Sequence, residues 1–166
     1  LNRYNKYKLD LVNCYLKRTN LSHIILKGSN LNSANITHSN LIQCSLENAR
    51  MNQTDFQGSN LNQANLTRSY ASGANFSNTF MIKANLEGSF LIKADFENAL
   101  LTEADLKSTV LLGANLKNAN LFKADLRGAE GLTVEQLLEV KTLQQAKLDD
   151  HLRQQLVEQA GDLIDL

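Results

Sequence analysis

Few side chains in this sequence could catalyse a reaction or bind a metal ion. The histidines His23, His38 and His151 lie far apart, and no pair has the spacing of metal ligands. No Ser/His/Asp or Cys/His arrangement and no glycine-rich phosphate loop is visible. We therefore predict a protein that is not an enzyme and that holds neither a metal nor a cofactor.

A repeat of five residues positions the remaining side chains. A large apolar residue, here called the centre, occupies every fifth position from Leu11 to Leu126, and Ala71 is the one small exception. From Ser29 onwards the residue two places before each centre is Ala, Ser, Thr or Cys. The clearest units are Ala64-Asn65-Leu66, Ala74-Asn75-Phe76, Ala84-Asn85-Leu86, Ala94-Asp95-Phe96, Ala104-Asp105-Leu106, Ala114-Asn115-Leu116, Ala119-Asn120-Leu121 and Ala124-Asp125-Leu126.

A period of five fits neither regular secondary structure, because helices repeat every 3.6 residues and strands every 2. A helix would scatter the centres around its cylinder, and a strand would place alternate centres on opposite faces. A chain that turns a corner every five residues solves both problems. Each centre and its small companion then point to a common axis, and the other three residues face outward.

These Ala-(Asn/Asp)-Leu units resemble the pentapeptide-repeat family over residues 9–130. The resemblance implies an all-β fold, a right-handed quadrilateral parallel β-helix with four pentapeptides per coil. About six coils would form a rod roughly 29 Å long at ~4.8 Å per coil. We thus expect a lead-in or linker at 1–8, a solenoid at 9–130 and a helical C-terminal cap at 131–166.

Side chains twenty residues apart should stack in columns along such a rod. In the column of Leu11, Ala71 leaves a gap between Met51 and Leu91, which is either a tolerated defect or a functional kink. Cys14 and Cys44 are one and a half coils apart, so they cannot form a disulfide. We interpret both as buried free thiols and expect a reducing compartment, the cytoplasm.

The open N-terminal end of a solenoid needs a cover. Leu9, Ile24 and Ile25 are larger than their columns require, and we expect them to plug this end, with Tyr4 or Tyr7. The chain does not begin with Met, so it could be the C-terminal domain of a larger protein.

The outer faces change in character along the rod. Two opposite sides keep Asn and Asp, whereas the other two turn from Asn to aromatic and aliphatic residues. Such exposed apolar residues indicate a partner or dimer surface, unless the C-terminal segment covers them or they bury one another. The candidate surface comprises Tyr70, Phe80, Ile82, Phe90, Ile92, Leu100, Val110, Leu112 and Phe122.

The repeat stops after Ala129, and helical signals follow. Thr133 and Gln136 form a capping box that predicts a helix from about Val134. Leu143, Ala146 and Leu148 could add a last, imperfect edge to the coil. A second helix would then start after Asp149 or Asp150, and it either caps the last coil or forms a dimer. Its candidate contact residues are Leu152, Leu156, Val157, Ala160 and Leu163.

Charge and hydropathy narrow the choice of partner. Residues 9–130 carry eleven Lys or Arg and ten Asp or Glu that alternate within columns, so no basic stripe exists to hold nucleic acid. No apolar run is long enough to span a membrane. We predict a structural or protein-interaction module with a protein partner and a possible homodimer. Some pentapeptide-repeat proteins mimic DNA and bind type II topoisomerases, and this alternative is disfavoured because the rod is neutral.

Overall fold

The computed structural model describes residues 8–160, in which the chain winds as a parallel coil of twenty residues per turn. Parallel backbone pairs join residues twenty apart, from Asp10–Asn30 through Asp105–Asp125. Residues 9–128 therefore form six coils (120 residues divided by 20). The predicted right-handed quadrilateral β-helix is confirmed.

Each five-residue unit bonds to its neighbours in the same way. In the first unit, Asn30 donates its N–H to the carbonyl of Leu9 (2.8 Å) and accepts from the N–H of Leu11 (2.7 Å). The corner follows, where the N–H of Cys14 donates to the carbonyl of Leu11 at 3.1 Å. Asn13, the second central residue of this corner, has φ 56°, as in a type II turn. Repeating this turn four times per coil returns the chain to its starting side.

The coil has four sides, which we number by the first coil. Side 1 begins with residues 9–13, side 2 with 14–18, side 3 with 19–23 and side 4 with 24–28. Residues twenty apart lie on the same side in successive coils.

The core is a single column of centres and small residues along the axis. From Leu26 to Leu126 every centre is at most 2% exposed. Phe56, Phe76 and Phe96 stack along side 2 with ring centroids 5.1 Å apart. Aromatic pairs of this kind contribute to stability beyond the area that they bury. The inward direction of the centres is thus as the five-residue period predicts.

The first coil is less buried than the others. Leu11, Leu16, Leu21 and Ile24 are only partly buried against the core. Leu9 is 39% and Ile25 36% exposed, so the expectation that these two plug the end is wrong. Ile25 lies just before a centre, where every unit points its side chain outward. Tyr4 and Tyr7 lie outside the described residues.

The chain after Ala129 adds a seventh, modified coil. Val110 pairs with Glu130 on side 1, Asn120 with Thr142 on side 3 and Asp125 with Lys147 on side 4. Helix α1, Val134–Leu138, replaces side 2 of this coil. It begins at the predicted residue, and the Thr133–Gln136 capping box is confirmed. The insertion lengthens the step from twenty to twenty-two residues.

Helix α2, Asp150–Ala160, follows the seventh coil. The carboxylate of Asp149 accepts from the N–H of Gly128 at 2.9 and 3.1 Å, which fixes the start of α2 to the last full coil. Leu152 and Leu156 are buried in one cluster with Leu137 and Leu143. Neither α1 nor α2, the helices of the described part, is long and apolar enough to cross a membrane.

Candidate protein-interaction surface

The structure divides the predicted apolar residues between two opposite sides of the rod. Side 1 carries Tyr70, Phe90, Ile92, Val110 and Leu112, which we call the side 1 strip. Side 3 carries Phe80, Ile82, Leu100 and Phe122, the side 3 strip. The two strips cannot form one continuous patch, because sides 2 and 4 lie between them.

Four of these nine residues are well exposed. Tyr70 and Phe80 are each 46% exposed, Phe90 is 39% and Leu112 is 58% exposed. The rings of Tyr70 and Phe90 stack at 5.1 Å with an interplanar angle of 2°, so each covers one face of the other. Helices α1 and α2 pack against the core at the end of the rod, and these four side chains stay exposed along its length.

The other five residues are half-buried. Ile82, Ile92, Leu100, Val110 and Phe122 are partly shielded by residues of the neighbouring coils. The Nζ of Lys123 lies 4.9 Å from the ring centroid of Phe122, a cation–π contact. Mutual burial between coils therefore accounts for part of the apolar content.

The residue before each centre stabilises the following turn when it is Asn or Asp. The side-chain oxygen accepts from the N–H two residues on, as from Asn75 to Ser77 (2.9 Å) and from Asp95 to Glu97 (3.0 Å). This Asx turn satisfies a turn amide that the coil ladder leaves free. Each Asn or Asp at this place in residues 10–125 makes the bond.

Aromatic residues at the same place remove this acceptor, and asparagines of the preceding coil replace it in two turns. Asn52 accepts from the N–H of Ser72 at 2.9 Å, and Asn62 from the N–H of Ile82 at 2.8 Å. Sequence reasoning missed this ladder, although the columns Asn52–Ser72 and Asn62–Ile82 were readable once the coil length was known.

Two turn amides of side 1 keep no such acceptor. Phe90 and Val110 cannot accept from Ile92 and Leu112, and the residues of the preceding coil there are Ser72 and Ile92. Within residues 8–160, the N–H groups of Ile92 and Leu112 have no hydrogen-bond acceptor. The N–H of Thr102, which follows Leu100 and Leu101 on side 3, likewise has no acceptor in this range. The side 1 strip therefore has two such turn donors and the side 3 strip has one.

Charges are distributed unequally around the two strips. Beside the side 3 strip, Lys83 pairs with Glu103 at 3.5 Å. Arg68 lies at the corner where side 4 meets side 1, and Lys93 lies at the corner where side 1 meets side 2. Both are exposed and without an ion pair inside 8–160. A Cβ at Gly88 would lie 3.4 Å from Cγ of Arg68, and one at Gly113 lies 3.6 Å from Cγ of Lys93. Each cation therefore extends over a glycine of the next coil.

Most other charges on side 4 are paired. Lys27 binds Glu47 at 2.9 Å, and Asp125 is held by Arg127 at 2.6 Å. Hydrogen bonds from Arg127 lower the pKa of Asp125 below its usual value, and Lys147 adds to the shift. Glu87 on side 4 is exposed and has no ion pair within 8–160. Arg50 and Lys93 on side 1 are likewise without an ion pair there.

The candidate residues of α2 separate into buried and exposed groups. Leu152 and Leu156 are buried, Ala160 is partly buried and Val157 is 50% exposed. Leu163 lies outside the described residues. A cleft of about 550 Å³ opens between α1 and α2, lined by Thr133, Glu135, His151, Leu152 and Glu158 among others.

The described residues include no group of three or more His, Cys, Asp or Glu side chains that could hold a metal ion. Cys14 and Cys44 are free, as their positions predict, but only Cys44 is buried, and the expectation that Cys14 is buried is wrong because it lies in the less buried first coil. Burial raises the pKa of the Cys44 thiol to about 12, so this group stays protonated and unreactive at neutral pH.

Comparisons with known proteins agree with this architecture. A family model for pentapeptide repeats matches residues 10–48, 49–88, 81–111 and 99–130. A structure of QnrB1, a plasmid-mediated fluoroquinolone resistance protein, is 20% identical, with a TM-score of 0.39, 96% of this chain covered and 92% of the other. No curated protein matches the chain.

Two further solved structures are similar. A pentapeptide repeat protein from the thylakoid lumen of Arabidopsis thaliana is 26% identical, with 64% of this chain and 72% of the other covered and a TM-score of 0.34. HetL is a pentapeptide repeat protein involved in heterocyst differentiation regulation in the cyanobacterium Nostoc sp. strain PCC 7120. It is 22% identical, with 85% of this chain and 70% of HetL covered and a TM-score of 0.28. Since the family model covers more than half of its residues, the chain belongs to the pentapeptide repeat family.

Proposed function

We propose that this protein is a non-catalytic module that binds another protein through the outer apolar residues of its solenoid. The observation that carries the proposal is the exposure of Tyr70 and Phe90 at places where other coils present Asn or Asp. Exposed contiguous aromatic surface is costly in solvent and typical of interaction sites. The free thiols support a reducing compartment such as the cytoplasm.

The proposal is tested by replacing apolar residues on each side separately. Phe90→Asp with Leu112→Asp changes side 1, and Phe80→Asp with Leu100→Asp changes side 3. Gln57→Asp with Lys117→Asp on side 2 is the matched control. Circular dichroism and thermal melting first establish that each variant folds, since these side chains point away from the core.

Partner capture from cells of the source organism, followed by mass spectrometry, then compares the variants. We expect one or both apolar pairs to lose a partner that the wild type and the side 2 control retain. Equal capture by all forms contradicts the proposal. Unfolding of the aspartate variants would assign these residues a structural role instead.

Regulation of a type II topoisomerase is the second candidate, because QnrB1 is a fluoroquinolone resistance protein. The nearly balanced charge of residues 9–130 disfavours mimicry of DNA. A gyrase supercoiling assay tests it directly, since inhibition or protection from quinolones would favour this role.

Light scattering of wild type and Val157→Asp tests the remaining possibility, a homodimer through α2.

A further inference from the structure

Resting on the proposed function, we infer that side 1, not side 3, binds the partner and that this partner is an extended protein segment with carboxylates beside apolar side chains. Three observations identify this chemistry: the unsatisfied turn amides, the uneven charge and the dimensions of the strip.

The first observation concerns two backbone N–H groups of side 1 that have no hydrogen-bond acceptor within residues 8–160. In most turns an Asn or Asp oxygen accepts the N–H that follows the centre, at 3.0 Å from Asp95 to Glu97 for example. The N–H groups of Ile92 and Leu112 have no such oxygen in the described residues. A carboxylate or carbonyl oxygen of a partner can take its place, and a bond from N–H to carboxylate is the stronger of the two.

The second observation is the positive charge around the strip. Arg68 and Lys93 lie on the two corners of side 1, and Arg50 precedes Tyr70 in its column. Two carboxylates lie near these cations: Glu130 is next to Val110, and the carbonyl of Glu87 accepts from the N–H of Arg68. Glu47, around the corner on side 4, pairs with Lys27, and Arg68 also contributes to lowering the pKa of this carboxyl. The excess of cations favours an acidic partner and raises its association rate.

The side 3 strip lacks this combination. Lys83 is paired with Glu103, and Lys123 lies over the ring of Phe122. Asn62 already satisfies the turn amide of Ile82, so the N–H of Thr102 is the one turn donor of this strip without an acceptor in the described residues. Side 3 therefore offers apolar contacts with fewer available cations and donors, which is the reason for assigning the partner to side 1.

The third observation is length. Tyr70, Phe90 and Val110 lie in consecutive coils, so the strip spans roughly 10 Å along the rod at ~4.8 Å per coil. An extended chain rises ~3.3 Å per residue, so about four residues cover it. A short segment with a carboxylate near Ile92 or Leu112 and apolar side chains against Tyr70 and Phe90 satisfies the site.

A random peptide library displayed on phage provides the test. Selection on the wild type, with counter-selection on Arg68→Glu with Lys93→Glu, should enrich Asp or Glu next to aromatic or aliphatic residues. The enriched peptide is then synthesised with a fluorescent label and its Kd measured by anisotropy. The probe's own control replaces each carboxylate by the matching amide.

We expect the Kd to rise about ten-fold or more when the peptide carries amides in place of its carboxylates. The same rise is expected for the unmodified peptide with the Arg68→Glu, Lys93→Glu protein, since two charge-assisted contacts are lost. Val110→Asn should also weaken it, because the new oxygen can accept from the N–H of Leu112, as Asn does elsewhere. Val110→Ala is the matched control: it loses the same apolar contact without supplying an oxygen, so it should bind better than Val110→Asn.

Basic or neutral selected peptides, no enrichment, or an affinity unchanged by Arg68→Glu with Lys93→Glu would each overturn the inference. So would binding to phosphatidylserine vesicles in place of peptides, or a dimer that dissociates in that variant. Loss of cellular partner capture only with the side 3 variants would reject side 1 while the interaction role stands. If no variant alters capture and no peptide binds, both proposals fail.

Discussion

The side-chain oxygen of Asn52 accepts a hydrogen bond from the backbone N–H of Ser72, one coil further along, at 2.9 Å. In this turn Tyr70 occupies the place where Asn or Asp would normally accept that N–H. An asparagine of the preceding coil thus supplies the missing acceptor, which allows the aromatic ring to point outward. The polar columns at the start of side 1 and its apolar strip are therefore structurally linked.

Asn52→Ala is predicted to lower the free energy of unfolding by about 1 kcal/mol, the typical net value of such a hydrogen bond. Urea unfolding followed by circular dichroism measures this change. Gln57→Ala is the matched control, because Gln57 has the equivalent place on side 2 and its N–H is satisfied by Asp55 at 3.0 Å. Equal stability of the two variants would mean that water replaces the Asn52 oxygen without loss.

Ala71 is fully buried although it replaces a large residue. Both methionines of the chain are nearby in the coil: Met51 precedes Ala71 in its column, and Met81 is the centre on the opposite side of the same coil. Methionine is flexible enough to fill irregular space. We predict that Ala71→Leu overpacks this coil and destabilises it by ~1–3 kcal/mol, measured by urea unfolding.

A double-mutant cycle provides the control for this packing argument. Met81→Ala alone should cost ~2–5 kcal/mol through the cavity that it leaves. Combined with Ala71→Leu, the loss should be smaller than the sum, because the new leucine occupies the space of the removed side chain. A stabilising effect of Ala71→Leu alone would show instead that the space beside Ala71 is empty.

Short-range features of this fold can be predicted from the sequence, whereas contacts between coils cannot. The centres and the Thr133–Gln136 box are visible because their signals lie within a few residues. The Asn52–Ser72 hydrogen bond joins residues twenty apart, and Arg68 and Lys93 extend over glycines twenty residues further on. These contacts appear only when the chain is arranged by coil. The size of Ile25 relative to its column predicts that it plugs the end, yet its place in the unit directs the side chain outward.

Asp125 should make stability depend on pH. Hydrogen bonds from Arg127 to Asp125, at 2.6 and 2.9 Å, lower the pKa of this carboxyl in the folded state. Its contribution is therefore fully present above the unfolded pKa of about 3.9 and is lost as pH falls through the lower folded value. We expect urea midpoints of the wild type to fall more steeply below about pH 4 than those of Asp125→Asn.

Asparagine is a suitable replacement here, because Asn85 bonds the equivalent turn amide in the same column at 3.0 Å. Asp125→Asn therefore keeps the turn and removes the charge. Arg127→Ala should reduce the acid dependence in the same way, since it removes the main cause of the shifted pKa. Parallel pH profiles for wild type and both variants would contradict this assignment.

Gln136 connects α1 to the last full coil. Its Nε2 donates to the carbonyls of Ala114 (2.7 Å) and Leu111 (3.2 Å), and its Oε1 accepts from the N–H of Thr133 at 2.8 Å. Gln136→Ala should cost roughly 2 kcal/mol, since it leaves carbonyls at the buried end of the coil without a donor. Thr133→Ala should cost about 1 kcal/mol, because it loses only the side-chain hydrogen bond that caps the N-terminus of α1.

Limited proteolysis with urea unfolding distinguishes the two roles of Gln136. If Gln136 holds the cap onto the rod, Gln136→Ala should be cleaved after Ala129 faster than Thr133→Ala, with the solenoid remaining folded. Equal cleavage of the two variants would limit Gln136 to helix capping. Gln136→Glu supplies the sharper comparison: it preserves the acceptor for Thr133 but places a carboxylate against two carbonyl oxygens, so it should open the cap at neutral pH and recover in part when protonation restores one donor.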